Sequence, residues 1–303
     1  RIHDMRTSIK KVRALIALAC TTVGSEARRA DRRLRKVASA TSDLRDAEMV
    51  LKTYDSFTPA LNTTPHSLAL AGARNRLAAH LRAAERSFHV DGRLPILAKN
   101  LLRERHRTRH WVPAPEGKWK TPGRQSAAAF AKTYRIARHA MALATVAHKN
   151  TSPAALCGPA FHDWRKAVKA HRYQLQILQG QRQGQKQGAW PIEWETRLSD
   201  LERLGELLGD EHDLAVLEET ITDEQSSPFP PEGAARSRLL VLIAERRRAL
   251  QTETLPLGAR LFAERARVFR RRLKHDLCEV NQASQAPAAV VRPPSSRARL
   301  SVV

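Results

Sequence analysis

Two stretches, "HDMRTSIKKVR" (His3 to Arg13) and "HDWRKAVKAHR" (His162 to Arg172), lie 159 residues apart and share one spacing: a histidine followed by basic residues at +3, +7 and +10. On an α-helix these positions fall at about 0°, 300°, 340° and 280°, a single narrow stripe roughly 15 Å long. His3, Arg6, Lys10 and Arg13 therefore form one ridge, and His162, Arg165, Lys169 and Arg172 form a second. The apolar residues Ile2, Met5, Ile9, Val12 and Ile16 fall at about 180–260°, directly beside the first ridge rather than opposite it. Phe161, Trp164, Val168, His171 and Leu175 take the same arc beside the second. Each ridge of positive charge is thus expected to border a core.

The rest of the chain agrees with a helical reading. Only 13 glycines occur, and long Ala-, Leu-, Arg- and Glu-rich windows repeat their apolar residues with a period near 3.6. No stretch reads as a strand, so the fold class is all-α. Pro, Gly and polar clusters predict helices near 2–20, 24–56, 66–90, 93–110, 124–149, 159–180, 190–222 and 233–279, the last broken at Pro256. "WVPAPEGKWKTPG" (Trp111 to Gly123) and "EQSSPFPPEG" (Glu224 to Gly233) read as loops, and the segment from Gln282 onward as a flexible tail.

The repeat extends past the ridges. "DLRDAEMVL" (Asp43 to Leu51) and "GDEHDLAVL" (Gly209 to Leu217) align with Asp46 on Asp213 at an offset of 167, so one connection is longer in the second copy, placed here in Gly180 to Ala189. The expected organisation is a first helical half over 1–149, a second over 150–281 and the tail over 282–303. Two such halves would pack around a pseudo-two-fold axis as paired bundles, turning the ridges toward a shared cavity.

Charge narrows the class of partner. A chain of 303 residues with 42% hydrophobic residues can bury a sizeable core, yet it carries a formal charge of +23. The last 22 residues contribute only Arg292, Arg297 and Arg299, which leaves +20 on the body. Such an excess opposes compaction unless a polyanion is part of the working state. Cys20, Cys157 and Cys278 are odd in number and widely spaced, which fits a reducing cytosol rather than a disulfide framework. No run of 18 apolar residues and no signal-peptide pattern is present. The expected location is cytoplasmic, with no membrane partner. The chain starts directly inside a helical motif, as one that had lost its true start would.

The doubled H-x2-R-x3-K-x2-R ridge, each followed by an R/H-D element, resembles the CHAD family, the conserved histidine α-helical domain, over roughly residues 1–281. That resemblance implies two four-helix bundles with approximate two-fold symmetry, a basic central cavity, and binding of inorganic polyphosphate, in some members at polyphosphate granules. Carried over by position, it assigns polyphosphate contacts to His3, Arg6, Lys10, Lys11 and Arg13, and to His162, Arg165, Lys166, Lys169 and Arg172. It adds Tyr134, Arg135 and Arg138 of "YRIAR", together with Arg45 and its counterpart His212. Ala170 stands where the first copy has Lys11, and His212 where it has Arg45, so the second half is expected to hold phosphate less tightly.

The chemistry of these residue types suits a flexible anionic polymer, because Arg offers a planar fork and Lys a mobile point charge. The alternative for any single stripe is a solvated basic face. His3 and His162 are candidates for donors to phosphate, phosphoacceptors or core-edge histidines; a metal role is disfavoured by three cations within two turns and no carboxylate in the stripe. As phosphate donors they would couple binding to proton uptake. Asp46 and Asp213 read as carboxylates that orient an Arg or Lys rather than as general bases. "HRTRH" (His106 to His110) lacks a third zinc ligand and reads as a solvated helix end. "EWETR" (Glu193 to Arg197) is superficially similar to the ExExK signature of triphosphate-tunnel enzymes, but it runs into a helical pattern instead of a strand.

The function expected is non-catalytic binding of inorganic polyphosphate, with no cofactor and no metal. The alternative is a nucleic-acid-binding protein held by phosphate contacts. Against it stand 5% aromatic residues, with only Trp164 and Tyr173 near the ridges to stack on bases. A phosphohydrolase would need an acidic metal cluster, which is not found in the sequence.

Overall fold

The computed structural model describes residues 2–57, 59, 67–111, 122–150, 158–184, 191–223, 225, 227–230 and 233–283. Among them are ten α-helices and no strand: α1 Ile2–Val23, α2 Ser25–Ser39, α3 Ser42–Asp55, α4 Ser67–Val90, α5 Arg93–Thr108, α6 Pro122–Asn150, α7 Gly158–Gly184, α8 Ile192–Thr222, α9 Ala234–Leu261 and α10 Ala266–Ala283. The expected loops over 112–121 and 185–190, most of the tail (284–303) and the side chains of all three cysteines lie outside the described residues.

Two of the eight expected helices are divided. The first division, between α2 and α3, falls at Ala40 and Thr41, where Ser39 Oγ donates to the Lys36 carbonyl and Thr41 Oγ1 to the Ala38 carbonyl at 3.0 Å. Short hydroxyl side chains compete here with the helical ladder. In the second copy the same offset of 167 brings Leu207 and Leu208, both buried, and the helix continues unbroken as α8. The second division is a correction to the expected break at Pro256. Helix α9 runs through Pro256 and ends at Leu261. Pro256 sits on an exposed face, where the carbonyl it leaves without a donor belongs to the exposed Thr252. The chain instead turns at Phe262, which is 1% exposed, and restarts as α10.

Three apolar clusters hold the helices. One joins α6, α7, α8 and α10 with Leu18 of α1 and Leu261 of α9; a second joins α3 and α4 with α8 and α9; a third joins α1, α2, α4 and α5. The second cluster crosses the expected boundary at residue 149, and α6, placed by sequence in the first half, packs on α7, α9 and α10 as well as on α1. Helix α7 packs against α1, and α8 against α3, so the ridge helices and the R/H-D helices of the two copies meet pairwise.

Helix α7 is fixed by its arc: Phe161, Trp164, Val168, His171 and Leu175 are all fully buried. His171 stacks on Phe130 at 4.1 Å and faces Thr133 Oγ1 at 3.0 Å, and burial keeps its imidazole neutral, well below the usual range. Helix α1 departs from expectation. Ile9 and Ile16 are buried, whereas Val12, at the edge of the arc farthest from the ridge, is 44% exposed. Ala14 and Leu18, at about 20° and 60° on the other flank of the ridge, are buried instead. The first ridge therefore runs between two packed flanks.

Candidate anion-binding site

Lys10, Arg165 and Lys169 meet where α1 crosses α7, in the wall of a cavity of about 580 Å³. Arg165 is only 8% exposed, and its Nε has no hydrogen-bond partner. Burial, and then Arg165, Lys10, Arg172 and Arg45, hold the Lys169 ammonium down to about 7. Burial, Arg165, Arg45 and Arg6 hold Lys10 to about 8, with Asp213 opposing them. Arg45 of α3 and Asp213 of α8 thus act on the same point as the two ridges. Three helices bring positive charge to one partly dehydrated place, and a fourth brings the carboxylate of Asp213.

The carboxylates do not neutralise it. Asp46 and Asp213 both lie on Arg45, at 3.1 and 3.8 Å, and burial pushes the Asp213 carboxyl up despite Arg165, Arg45 and Lys169. Farther along α8, Glu211 and Glu218 are taken by the buried Arg247 of α9, which also aligns Gln251 on Glu211. Glu211 and Glu218 are thereby occupied by Arg247, and Asp213 is shared with Arg45. Unpaired buried cations cost free energy, and an incoming anion removes that cost.

The two copies hold their equivalent arginines differently. Arg6 Nη1 donates to the Ala38 carbonyl at 2.6 Å and to Thr41 Oγ1 at 2.7 Å, groups freed by the division between α2 and α3. Arg165 faces the unbroken α8 and finds no such acceptors, which leaves it the freer donor. At the outer end, Arg13 pairs with Asp31 at 2.7 Å and Arg172 with Glu202 at 3.2 Å.

Other expected contacts lie elsewhere. His3 and Lys11 are exposed on α1. Lys166 is exposed at the cavity edge and pairs with Asp163 at 2.6 Å. The rings of His162 and His212 face each other with Nδ1 to Nδ1 at 3.1 Å. One nitrogen must donate and the other accept, so the two rings cannot both be protonated. Burial and Arg165 hold His212 to about 3, and burial, Lys166 and Arg165 lower His162.

The YRIAR element requires a correction. Tyr134 is 1% exposed, stacks on Phe269 at 3.9 Å and donates to the Glu264 carbonyl, so it is a core residue. Arg135 is exposed, Arg138 donates to the Phe262 carbonyl at 3.1 Å, and none of the three lines the cavity. Their helix α6 turns this face toward α10 and away from the ridges.

Sequence reasoning missed Arg28, Arg32 and Arg35, which line the same cavity from α2. The signal was available as an i, i+4, i+7 stripe opposite the buried Ala27, Ala30, Leu34 and Val37. Among the described residues no group of three or more metal-ligating side chains converges, and no helix is long and apolar enough to cross a membrane.

An all-helical chain with paired basic helices converging on one cavity defines a class of anion-binding helical domain. Comparison with family models narrows it: the CHAD domain model matches residues 1–195, and the chain belongs to that family. The match includes both ridges and ends before His212 and Asp213. No curated protein matches the chain.

Proposed function

We propose that this chain binds inorganic polyphosphate in the cavity between α1, α2 and α7, without itself catalysing a reaction, and that it serves at polyphosphate-rich sites such as granules. The observation that carries the reading is the set of buried Arg165 and half-buried Lys10 and Lys169, brought together from two sequence copies without an ion-paired carboxylate of their own among the described residues. A repeating phosphate chain supplies closely spaced charge to all three at once. Family membership supports the same ligand class. Base recognition has no support here, because Trp164 is fully buried in the core, and Tyr173 is 5% exposed with Arg172 over its ring at 4.9 Å.

The deciding experiment is competition between long-chain polyphosphate and duplex DNA at matched phosphate concentration and salt. Polyphosphate should displace DNA; equal displacement in both directions would return the nucleic-acid reading. Polyphosphate incubated with the protein should keep its length, and release of orthophosphate would overturn the non-catalytic part.

Affinity should also fall steeply with salt. With at least three cations engaged and about 0.7 in log–log slope per phosphate contact, the slope is expected at about −2 or steeper. A flat dependence measured by fluorescence titration between low and physiological salt would contradict an electrostatic multi-contact site.

A further inference from the structure

The two sequence copies differ at the outer end of the site. On α2, Arg28, Arg32 and Arg35 line the cavity, and Arg28 and Arg32 make no ion pair among the described residues. The one carboxylate on that wall, Asp31, is shared by Arg13 at 2.7 Å and Arg35 at 3.0 Å. At the offset of 167 the second copy has Glu195, Ser199 and Glu202 in place of the three arginines. Glu202 already pairs with Arg172, the last residue of the second ridge. The way out along the second copy is therefore closed by acid, and the way out along the first is open and basic.

The space on the far side of Asp213 points the same way. A separate cavity of about 500 Å³ there presents Lys52 and Arg246 against Asp210 and Asp213, two cations balanced by two carboxylates. A polyanion leaving the cluster therefore meets a larger excess of positive charge along α2 than on the far side of Asp213.

We infer that Arg28, Arg32 and Arg35 form an outer arm of the site that engages the part of a polyanion chain extending beyond the cluster, and so sets a preference for long chains. The inference rests on the polyphosphate reading. A short ligand settles on Lys10, Arg165 and Lys169, where charge is densest and least hydrated. A long one continues across about 10 Å of α2, seven residues at 1.5 Å each. The second contact is intramolecular once the first is made, so the arm raises affinity without a new binding event.

The test is titration of tripolyphosphate and of long-chain polyphosphate into the full chain, its Arg28→Ala/Arg32→Ala/Arg35→Ala variant and its Lys169→Ala variant. Wild type should bind the long chain more tightly. The triple variant should lose long-chain affinity roughly tenfold more than tripolyphosphate affinity, and its log–log salt slope for the long chain should become shallower by about 2. Lys169→Ala should weaken both ligands alike. The three arginines are on a solvent-facing stripe, so an unchanged melting curve is expected and checks the fold. Equal losses for the two ligands in the triple variant, or an unchanged long-chain affinity, would overturn the arm. Wild type that binds neither ligand would overturn the polyphosphate reading itself. A single Glu202→Gln variant gives the converse: freeing Arg172 should raise long-chain affinity more than tripolyphosphate affinity.

Discussion

Long-chain polyphosphate binding at pH 8 should draw about one proton from solution, and Lys10→Met/Lys169→Met should abolish that uptake while weakening binding by about 10²-fold or more. Lys169 is held to about 7 and Lys10 to about 8, so at pH 8 in the free protein the first is mostly neutral and the second half charged. A bound polyanion favours both ammonium forms, and each protonates on binding. Charge-assisted hydrogen bonds contribute roughly 1.5–3 kcal/mol apiece, which sets the size of the loss. The measurement is calorimetric titration at pH 8 in two buffers of different ionisation enthalpy. Uptake unchanged in the double variant would mean that the lysines do not contact the ligand.

The sign for the free protein is opposite. A lysine whose folded value lies below its unfolded one is protonated first in the unfolded chain as pH falls. Stability of the free protein is therefore present above about pH 10 and declines as pH falls toward 8 and 7, staying level below. Affinity runs the other way, decreasing as pH rises past 8. Lys169→Met should consequently raise the melting temperature of the free protein near neutral pH while it weakens binding, a stability cost retained for function. Sequence reasoning placed the proton linkage on His3 and His162. At pH 8 the expected uptake falls instead on Lys169 and Lys10, held to about 7 and about 8.

The second large effect is expected far from any ligand contact. A Cβ on Gly258 of α9 would overlap Cζ2 of the fully buried Trp164 and come within 2.7 Å of its Cη2, with Met141 Sδ at 3.3 Å behind. Neither ring nor helix has room to yield. Gly258→Ala should cost about 1–3 kcal/mol by overpacking, and at roughly 2–4 °C per kcal/mol the melting temperature should fall by several degrees. Trp164 immediately precedes Arg165 on α7, so polyphosphate affinity should drop as well. Adding Trp164→Phe, which removes the overlapping ring, should recover part of the stability; strictly additive losses in that double-mutant cycle would refute the contact.

How much of this was legible in the sequence follows from the range of each interaction. Helix positions came from local periodicity and punctuation, and α4, α5 and α8 start within two residues of expectation. The α2–α3 division was missed because hydroxyl competition at Ser39 and Thr41 is short-range but weak, and what distinguishes the copies there is the burial of Leu207 and Leu208. The break assigned to Pro256 fell at Phe262 because an exposed proline is tolerated where a buried phenylalanine must turn the chain.

The same division governs the site. Spacing alone determined that Arg6, Lys10, Arg165 and Lys169 share a face with the core beside it, since helix geometry needs nothing beyond neighbours in the chain. Tertiary structure decided how far each is withdrawn from water: Arg165 is buried, and the half-buried Lys10 lies between flanks closed by Ile9 and Ile16 on one side and Ala14 and Leu18 on the other. It also decided that Arg6 is held by a helix end while Arg165 is left free, that Tyr134 belongs to the core, and that α2 supplies three further arginines. Charge type and periodicity are properties of the chain read locally. Desolvation and the company of distant charges exist only once helices from both copies have packed.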